Sequence, residues 1–372
     1  MKQYVFFTFF LVFMACHEEP LDESMHVLPL SECIETGRYE DKSFMSSIDE
    51  VSYVPFELTD SSVLGNCYIS TDEGGRIFVY DLHSVYAFDN KTGSFLSRIK
   101  RNGEGPEDYL GISDISINMK DSTVFILDGK RKRINSYSLN DGCFLNSIKS
   151  DSIVSFENFD NEKWVFYNSP MFPFYYDICV SDYSWNNRKG IQERIEESKF
   201  EHIAPISDFM KYNDGIYTLR KDTIYKIENE DRIEPFIFLD KGRLSIPDEI
   251  AYGVKNKQKR HDYIWGETCC FSDEYYFSSY YYNRKVYYDV WNLKERKLCY
   301  RNMIESPSDN RGFPVRLNGT IIYVWPTWVK NDVFYCIIDE VESEKIILGI
   351  PFYTRQWVIA SGGTLKSKNV VS

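Results

Sequence analysis

The sequence has no excess of positive charge. Its 372 residues include 43 Lys and Arg against 56 Asp and Glu, which gives a formal net charge of −13. Binding to a nucleic-acid backbone needs a large basic surface, so the charge balance excludes nucleic acid as an expected partner. Glycine and proline are also few, with 20 and 13 residues, which excludes a collagen-like or low-complexity chain.

The motifs of common metal enzymes and hydrolases are missing as well. The chain contains no C-x-x-C pair, no H-E-x-x-H and no G-x-S-x-G. The G-x-G-P run at 103–106 is followed by neither a Lys-Ser/Thr pair nor a helical pattern, so a tight turn is expected there and not a nucleotide loop. We therefore expect no cofactor and no metal. Whether the protein is an enzyme stays open, with a non-enzyme favoured.

Long hydrophobic runs are missing except at the amino terminus. Residues 4–15 carry no charge and follow Lys2. Such a run is too short to span a bilayer, which takes about 20 residues, but it suits the core of a signal peptide. The run V-F-M-A-C at 12–16 resembles the lipobox of bacterial lipoproteins, although Phe13 stands where Leu is commoner. The resemblance implies a signal peptide at 1–15 and lipidation of Cys16. The alternative is an ordinary secretory peptide, with Cys16 as half of a disulfide.

An acidic segment follows Cys16. Glu18 and Glu19 are similar to the surface-export signal of Bacteroidetes lipoproteins. Acyl chains contribute ~0.8 kcal/mol per buried CH₂, enough for stable attachment to a membrane. We predict a lipidated tether at 16–43 and a location on the bacterial outer membrane, exposed at the cell surface. A periplasm-facing location is the alternative.

The body of the chain is rich in aromatic residues, which make up 16% of it, and it reads as short strands. A long repeat relates these strands, because Asp81 and Asp128 are 47 residues apart and Gly93 and Gly142 are 49 apart in matching contexts. Units begin near 76, 123, 163, 215, 274 and 320, about 50 residues each, the size of a four-stranded propeller blade with its loops. Within a unit we expect neighbouring runs to pair, for example 215–219 with 223–227 and 320–325 with 332–338.

The sequence therefore predicts an all-β fold, a six-bladed β-propeller at 44–358 with four-stranded antiparallel blades. A strand within 48–58 is expected to close the ring by joining the last sheet near 345–353. Helical patterns at 196–211 and 247–259 predict two short helices on one rim, and 359–372 is expected to be a tail.

One motif resembles a known family. The run R-N-G-E-G-P-E-D-Y at 101–109, followed by D-I-S-I at 114–117, is similar to the G-x-G-P-x-E-Y linker of the Bacteroidetes six-bladed β-propeller lipoproteins. Asp108 stands where that family usually has Glu. The resemblance covers most of 44–353. It implies a fold and a surface location, and it implies no reaction.

The same linker and the basic run K-R-K-R at 130–133 supply the candidate binding residues. Both are expected in turns on a rim, where the linker's side chains would be exposed and the basic run could bind an acidic glycan or a lipopolysaccharide phosphate. The structural alternatives are a tight turn and a solvated charged surface. The candidate rim-binding residues are Arg101, Glu104, Tyr109, Lys130, Arg131, Lys132 and Arg133.

Cysteines and a mixed polar cluster give weaker indications. Eight cysteines remain besides Cys16, several within strand patterns, so most are expected to be buried and unpaired. His261 lies near two acids and two cysteines at 262–270, a mixture that could build a site but is also typical of a polar rim.

Two functional classes follow. The first is an envelope-anchored propeller that binds a glycan, a peptide or an envelope protein without catalysis, serving nutrient capture. The second is a propeller enzyme, a glycan hydrolase or lyase or a lactonase-like enzyme, that uses two carboxylates in its channel.

Overall fold

The structure is a computed structural model. It describes residues 25–37, 44, 48, 50–64, 67–150, 153–160, 162–168, 176–185, 187–193, 209–213, 215–251, 254–306, 310–317, 320–330, 333–338 and 356–361. The predicted signal peptide and the predicted lipidation site, Cys16, lie outside these residues.

The protein is an all-β propeller with few helices, as predicted. Five blades are each built from four consecutive antiparallel strands. Blade 1 comprises β3 (Tyr68–Glu73), β4 (Arg76–Tyr80), β5 (Val85–Asp89) and β6 (Phe95–Ile99). Blade 2 comprises β7 (Asp114–Asn118), β8 (Thr123–Asp128), β9 (Arg133–Ser138) and β10 (Phe144–Lys149). Blade 3 comprises β11 (Ile153–Phe159), β12 (Lys163–Asn168), β13 (Tyr176–Asp182) and β14 (Arg188–Glu193). Blade 4 comprises β15 (Phe209–Tyr212), β16 (Gly215–Arg220), β17 (Thr223–Ile227) and β18 (Ile233–Leu239). Blade 5 comprises β19 (Trp265–Phe271), β20 (Tyr275–Tyr282), β21 (Lys285–Asn292) and β22 (Lys297–Ile304).

The sixth predicted unit is paired differently from the prediction. We expected 320–325 to pair with 332–338. Instead β24 (Thr320–Val324) pairs with β23 (Phe313–Leu317), and β26 (Val333–Ile338) pairs with β25 (Trp328–Lys330). Hairpin pairing between strands that follow each other closely in the chain explains the difference, since a run of apolar residues does not reveal its partner.

Both chain ends contribute strands to one more sheet. The strand β2 (Glu50–Pro55) pairs antiparallel with β27 (Gln356–Ser361), which also pairs with β26, so the order is β2-β27-β26-β25. The expected partner of the amino-terminal strand, near 345–353, lies outside the described residues. The expected tail at 359–372 begins inside β27.

The segment expected to be a tether is partly folded. Within it, β1 (His26–Leu28) adds a fifth, parallel strand to blade 4 beside β18, and α1 (Leu30–Thr36) follows. Leu28 and Leu30 are buried in the core. The apolar residues of this short segment cover the open edge of blade 4, which the acidic composition upstream did not predict.

Helices are limited to short segments. The pattern at 247–259 forms α2 (Asp248–Ala251) and a 3₁₀ helix at Val254–Asp262, after a shorter 3₁₀ turn at Gly242–Leu244. Of the other predicted helix, 196–208 lies outside the described residues, and 209–211 belongs to β15 because Met210 packs into the core of blades 4 and 5. No helix among the described residues is long and apolar enough to cross a membrane.

Strands bury both of their faces between blades. Ile77 and Val79 pack on one side of β4, whereas Phe78 between them packs in a separate core on the other side. This is why the strand sequence is continuously apolar and does not alternate. Burying such a side chain contributes roughly 1.5–3 kcal/mol, so the interfaces between blades stabilise the ring.

The hairpins and connections of the blades lie on two opposite faces of the propeller. In blades 1–5 the hairpins from first to second strand and from third to fourth strand open on one face, the turn face. The hairpins from second to third strand and the connections between blades lie on the opposite face, the link face. The first strands β3, β7, β11 and β15 contact one another in that order, which places them around the axis of the ring.

Candidate functional site

The two candidate segments, the 101–109 loop and the basic turn at 129–132, meet on the link face. The guanidinium groups of Arg131 and Arg133 point into the loop and donate hydrogen bonds to its backbone carbonyls. Hydrogen bonds from charged donors are worth roughly 1.5–3 kcal/mol, so these two arginines hold the loop in shape and are not free for a ligand. The accepting carbonyls are Gly103 (3.1 Å), Gly105 (2.8 Å) and Asp108 (3.0 Å) for Arg131, and Pro106 (3.0 Å) and Asp108 for Arg133.

Tyr109 is a correction to the sequence analysis, which placed it among exposed contacts. It is fully buried, and its hydroxyl donates to the carbonyl of His83 at 2.8 Å while accepting from the Arg101 amide at 3.2 Å. Burial raises the pKa of the Tyr109 hydroxyl well above its usual range. The ring packs edge-on against Tyr137, so the linker's last residue is an anchor between blades 1 and 2.

The other candidates stay at the surface. Glu104, Lys130 and Lys132 are exposed. Arg101 is half-buried, with its Nε 3.4 Å from the carbonyl oxygen of Gly142. These four residues keep the predicted rim location.

Two exposed apolar side chains that the sequence analysis missed lie at the link end of blade 1, and one of them is close to Lys130. Leu82 is 63% exposed and Tyr68 is 60% exposed, with the Tyr68 ring 5.6 Å from that of Tyr80. A Cβ on Gly111 would lie 3.8 Å from both the Leu82 carbonyl and the Lys130 ammonium, so these two residues are close neighbours. We call Tyr68, Leu82 and Lys130 the link-face patch. An apolar Leu within the polar turn D-L-H-S was the available sequence signal.

The ring axis holds a charged cluster that joins the first strands of four blades. Glu73, Ser116, Glu157 and Lys211 come from blades 1, 2, 3 and 4 respectively. The Lys211 ammonium lies 2.9 Å from Glu157 Oε1 and 3.9 Å from Glu73 Oε1, and the Ser116 hydroxyl donates to Glu157. Burial alone would lower the pKa of Lys211, but the two carboxylates outweigh it and the pKa is raised. We call these four residues the axial cluster. It supplies the channel carboxylates that the sequence could not place.

Side chains of blade 2 accept hydrogen bonds from the backbone amides at the inner edge of blade 3. The amide of Phe156 donates to Asp114 Oδ2 at 3.0 Å, and the amide of Asn158 donates to Ser116 Oγ at 2.8 Å. Unpaired amides at a strand edge need such partners. Blade 2 therefore covers the edge that blade 3 presents to the channel.

Two cationic groups are buried, Lys241 between blades 4 and 5 and Arg301 within blade 5. The Lys241 side chain is 1% exposed and its ammonium contacts Asp222 at 2.8 Å and also Glu267. Arg301 donates to both carboxylate oxygens of Asp289, at 2.6 and 2.7 Å. Buried charges need such partners because desolvation is costly.

The mixed cluster at 261–270 therefore does not form one site. Glu267 pairs with Lys241, while the Cys270 thiol faces the carbonyl of Pro326 at 3.6 Å. Burial raises the pKa of the Cys269 thiol to about 12. Six cysteines of the described residues form no disulfide there, as expected for most of the cysteines: Cys33, Cys143, Cys179, Cys269, Cys270 and Cys336. Within the described part of the chain, no group of three or more His, Cys, Asp or Glu side chains is placed to hold a metal ion.

A cavity of about 580 Å³ opens between blades 3 and 4. Lys163, Lys189 and Glu230 are among its lining residues, and the Lys163 ammonium forms an ion pair with Glu230 across the two blades. Lys189 pairs with Asp231 on the same turn of blade 4. The charged groups of Lys163, Lys189 and Glu230 are thus engaged in ion pairs.

Residues 25–347 match the family model described as Domain of unknown function (DUF4934). The chain belongs to this family. A search of curated proteins found no match.

Two crystal structures share the propeller fold of this DUF4934 protein. An inferred exported protein from Bacteroides fragilis is 17% identical, with a TM-score of 0.66 over 86% of this chain and 96% of that chain. A member of the DUF4221 family from Bacteroides vulgatus is 11% identical, with a TM-score of 0.53 over 84% of this chain and 98% of that chain. At these identities the likeness shows the fold alone. The source of both structures agrees with the resemblance to a Bacteroidetes family.

Proposed function

We propose that this protein is an exported lipoprotein, anchored through Cys16, whose propeller binds a glycan, peptide or envelope-protein partner in nutrient capture without catalysing a reaction. The lipobox-like run at 12–16 and the acidic residues Glu18 and Glu19 support an anchor on the outer membrane at the cell surface. The structural neighbour inferred to be exported supports export of this chain.

The same proposal includes a ring of six blades closed by the amino-terminal strand. The four-stranded sheet β2-β27-β26-β25 supports it, because its strands come from both ends of the chain. Its strand β25 contacts both β3 of blade 1 and β19 of blade 5, the position that a sixth blade would occupy. A ring joined in this way has no open first or last blade.

The link-face patch is the binding surface. Leu82 is more than half exposed close to the Lys130 ammonium, and Tyr68 is more than half exposed on the first strand of the same blade. Exposed apolar surface with polar groups at its edge is typical of interaction sites. The neighbouring loop is held by Arg131 and Arg133, so a partner would meet a preformed surface. Exposure of Leu82 and Tyr68 is the observation that carries the proposal.

Binding can be tested with the mature chain without its first 16 residues. Glycans and peptides are screened by thermal shift, and the best ligand is then titrated by calorimetry against Leu82→Ser and Tyr68→Ala. Leu145→Ser is the matched control, because Leu145 is 53% exposed on the outer strand of blade 2. We expect both patch variants to lose affinity and the control to keep it. Equal binding by Leu82→Ser and the unmodified chain would remove the patch from the proposal.

The second candidate function is a propeller enzyme, favoured by the axial cluster. Glu73 and Glu157 share the Lys211 ammonium, so two carboxylates lie close together at the axis, and glycan-cleaving enzymes use a pair of carboxyl groups as acid and base. Turnover of a glycan or lactone that is abolished in Glu157→Gln and retained in Glu162→Gln would support this function over pure binding. Glu162 is a suitable control because its side chain is 76% exposed.

A further inference from the structure

The amino-terminal segment is fastened to the outer edge of blade 4. The strand β1 runs parallel to β18, with His26 opposite Ile237 and Leu28 opposite Leu239. Beyond the strand, the amide of Asp240 donates to the Leu28 carbonyl at 2.9 Å, and the Ser31 amide donates back to Asp240 at 2.9 Å.

The helix α1 is fastened as well, to blade 5. Arg301, which is held by Asp289, donates from Nη1 to the carbonyl of Cys33 at 3.2 Å. Arg243 of the connection after blade 4 donates to Glu35 at 2.6 Å. Residues 25–37 are therefore part of the rigid propeller and not a continuation of the tether.

The direction of β1 fixes the face at which the chain enters the propeller. The Nδ1 atom of His26 hydrogen-bonds to the carbonyl oxygen of Leu293 at 3.1 Å, and the Leu293 amide donates to Glu274 at 2.8 Å. Leu293 and Glu274 belong to the two hairpins of blade 5 that open on the turn face. From there the chain runs toward α1 and Gly242–Leu244, on the link side. The chain thus enters at the turn face.

The distance from this entry point to the lipid is limited by chain length. Nine residue steps separate Cys16 from Met25, the first described residue, and a fully extended chain spans at most ~3.3–3.6 Å per residue. The reach is therefore about 30 Å. The eight-residue strands β20 and β21 make blade 5 about 26 Å high, at ~3.3 Å per residue. A tether that passed the whole height of the blade would have almost no length left.

We propose that the turn face of blades 4 and 5 is the surface that lies toward the lipid bilayer, so that the link face with its patch points away from it. The proposal rests on the proposed lipidation of Cys16 and adds the orientation that lipidation would impose. It makes the link face the accessible face for a partner outside the membrane.

Energy transfer to a labelled membrane tests the orientation. The full lipoprotein is reconstituted into vesicles of phosphatidylethanolamine and phosphatidylglycerol that contain an acceptor dye on the lipid headgroup. A donor dye is placed at Lys294→Cys on the turn face or at Asp262→Cys on the link face, both exposed positions near the junction of blades 4 and 5. Cys143→Ser removes the exposed native thiol from both proteins. We expect higher transfer efficiency from position 294.

A longer tether is the internal control. Twenty Gly and Ser residues inserted after Pro20 extend the reach well beyond the height of the blade, so the difference between the two positions should shrink. Equal transfer from both positions, higher transfer from position 262, or a difference that the insertion leaves unchanged would each overturn the orientation.

Mass spectrometry of the mature amino terminus separates the two proposals. A Cys16 that carries acyl groups, together with equal transfer from both faces, means that the anchor is right and the orientation is wrong. A Cys16 without acyl groups overturns the anchor and the orientation together.

Discussion

Replacing Lys241 with methionine removes the ammonium that two carboxylates share between blades 4 and 5. The side chain of Lys241 is 1% exposed and that of Glu267 is 9% exposed, so water cannot replace the lost partner. Removing one member of a buried ion pair costs about 3–5 kcal/mol because the remaining charge is left uncompensated. We expect Lys241→Met to lose this much stability.

The effect should depend on pH, with a predictable sign. Burial raises the pKa of Glu267, and the Lys241 ammonium opposes that rise. Without the ammonium the pKa rises further. A carboxyl group whose pKa is raised in the folded protein stabilises the fold while it is protonated, and this contribution is lost as the pH rises through the folded-state pKa. The destabilisation of Lys241→Met should therefore be larger at about pH 8 than at about pH 5.

Urea unfolding at both pH values measures the effect. A loss of about 3–5 kcal/mol shifts the urea midpoint by about 1 M or more if the slope is about 3 kcal/mol per M. Lys163→Met is the matched control, because Lys163 also has an acidic partner, Glu230, but both side chains are partly exposed, at 32% and 46%. The control should leave the midpoint almost unchanged. The double variant Lys241→Met/Glu267→Gln should recover part of the loss. The reasoning is refuted if Lys241→Met unfolds at the same urea concentration as Lys163→Met.

Three further outcomes are expected from other parts of the structure. Arg131→Ala should lower the urea midpoint by the equivalent of about 2–4 kcal/mol, since three carbonyls lose a charged donor, whereas Lys130→Ala, which truncates an exposed side chain of the same turn, should not change it. Gly93→Ala should destabilise the protein strongly, because its Cβ would lie 1.9 Å from the last carbonyl of β2. Gly75→Ala, at a similar positive φ but with open space around it, should lose much less stability. Equal melting temperatures of the two variants would contradict the geometry. Iodoacetamide should label Cys143 first in the folded protein, because the other described cysteines are buried or half-buried; mass spectrometry of the labelled peptides checks this.

Much of the fold could be predicted because the repeat is local. The spacing of 47 residues between Asp81 and Asp128 correctly matched blades 1 and 2, and the strand pair at 215–219 and 223–227 is confirmed in blade 4. The prediction failed where partners are chosen by neighbours in space. The 320–325 strand pairs backward with β23, and the end of a helical pattern at 209–211 becomes β15.

The candidate site was harder to predict than the fold. The 101–109 loop and the basic turn were identified separately, but their mutual attachment was not, because Arg131 reaches carbonyls more than 20 residues away in the chain. Tyr109 was misplaced for a related reason, since a tyrosine after a turn has the same sequence whether it points outward or between two blades. Leu82 was missed because a single apolar residue in a turn carries a weak signal.

The sequence by itself determined the strand-rich composition, the length of the repeat and the continuous apolar runs, because these follow from how side chains alternate along a strand and pack on both sides of a blade. Only the tertiary structure decided which charges meet at the axis. Glu73 and Lys211 lie 138 positions apart in the chain and share one ion cluster, since a ring brings the first strands of distant blades to a common centre. The tertiary structure also decided that β1 of the amino-terminal segment pairs with the outer strand of blade 4, because the unpaired amide and carbonyl groups of an edge strand can pair with a segment that is distant in the sequence.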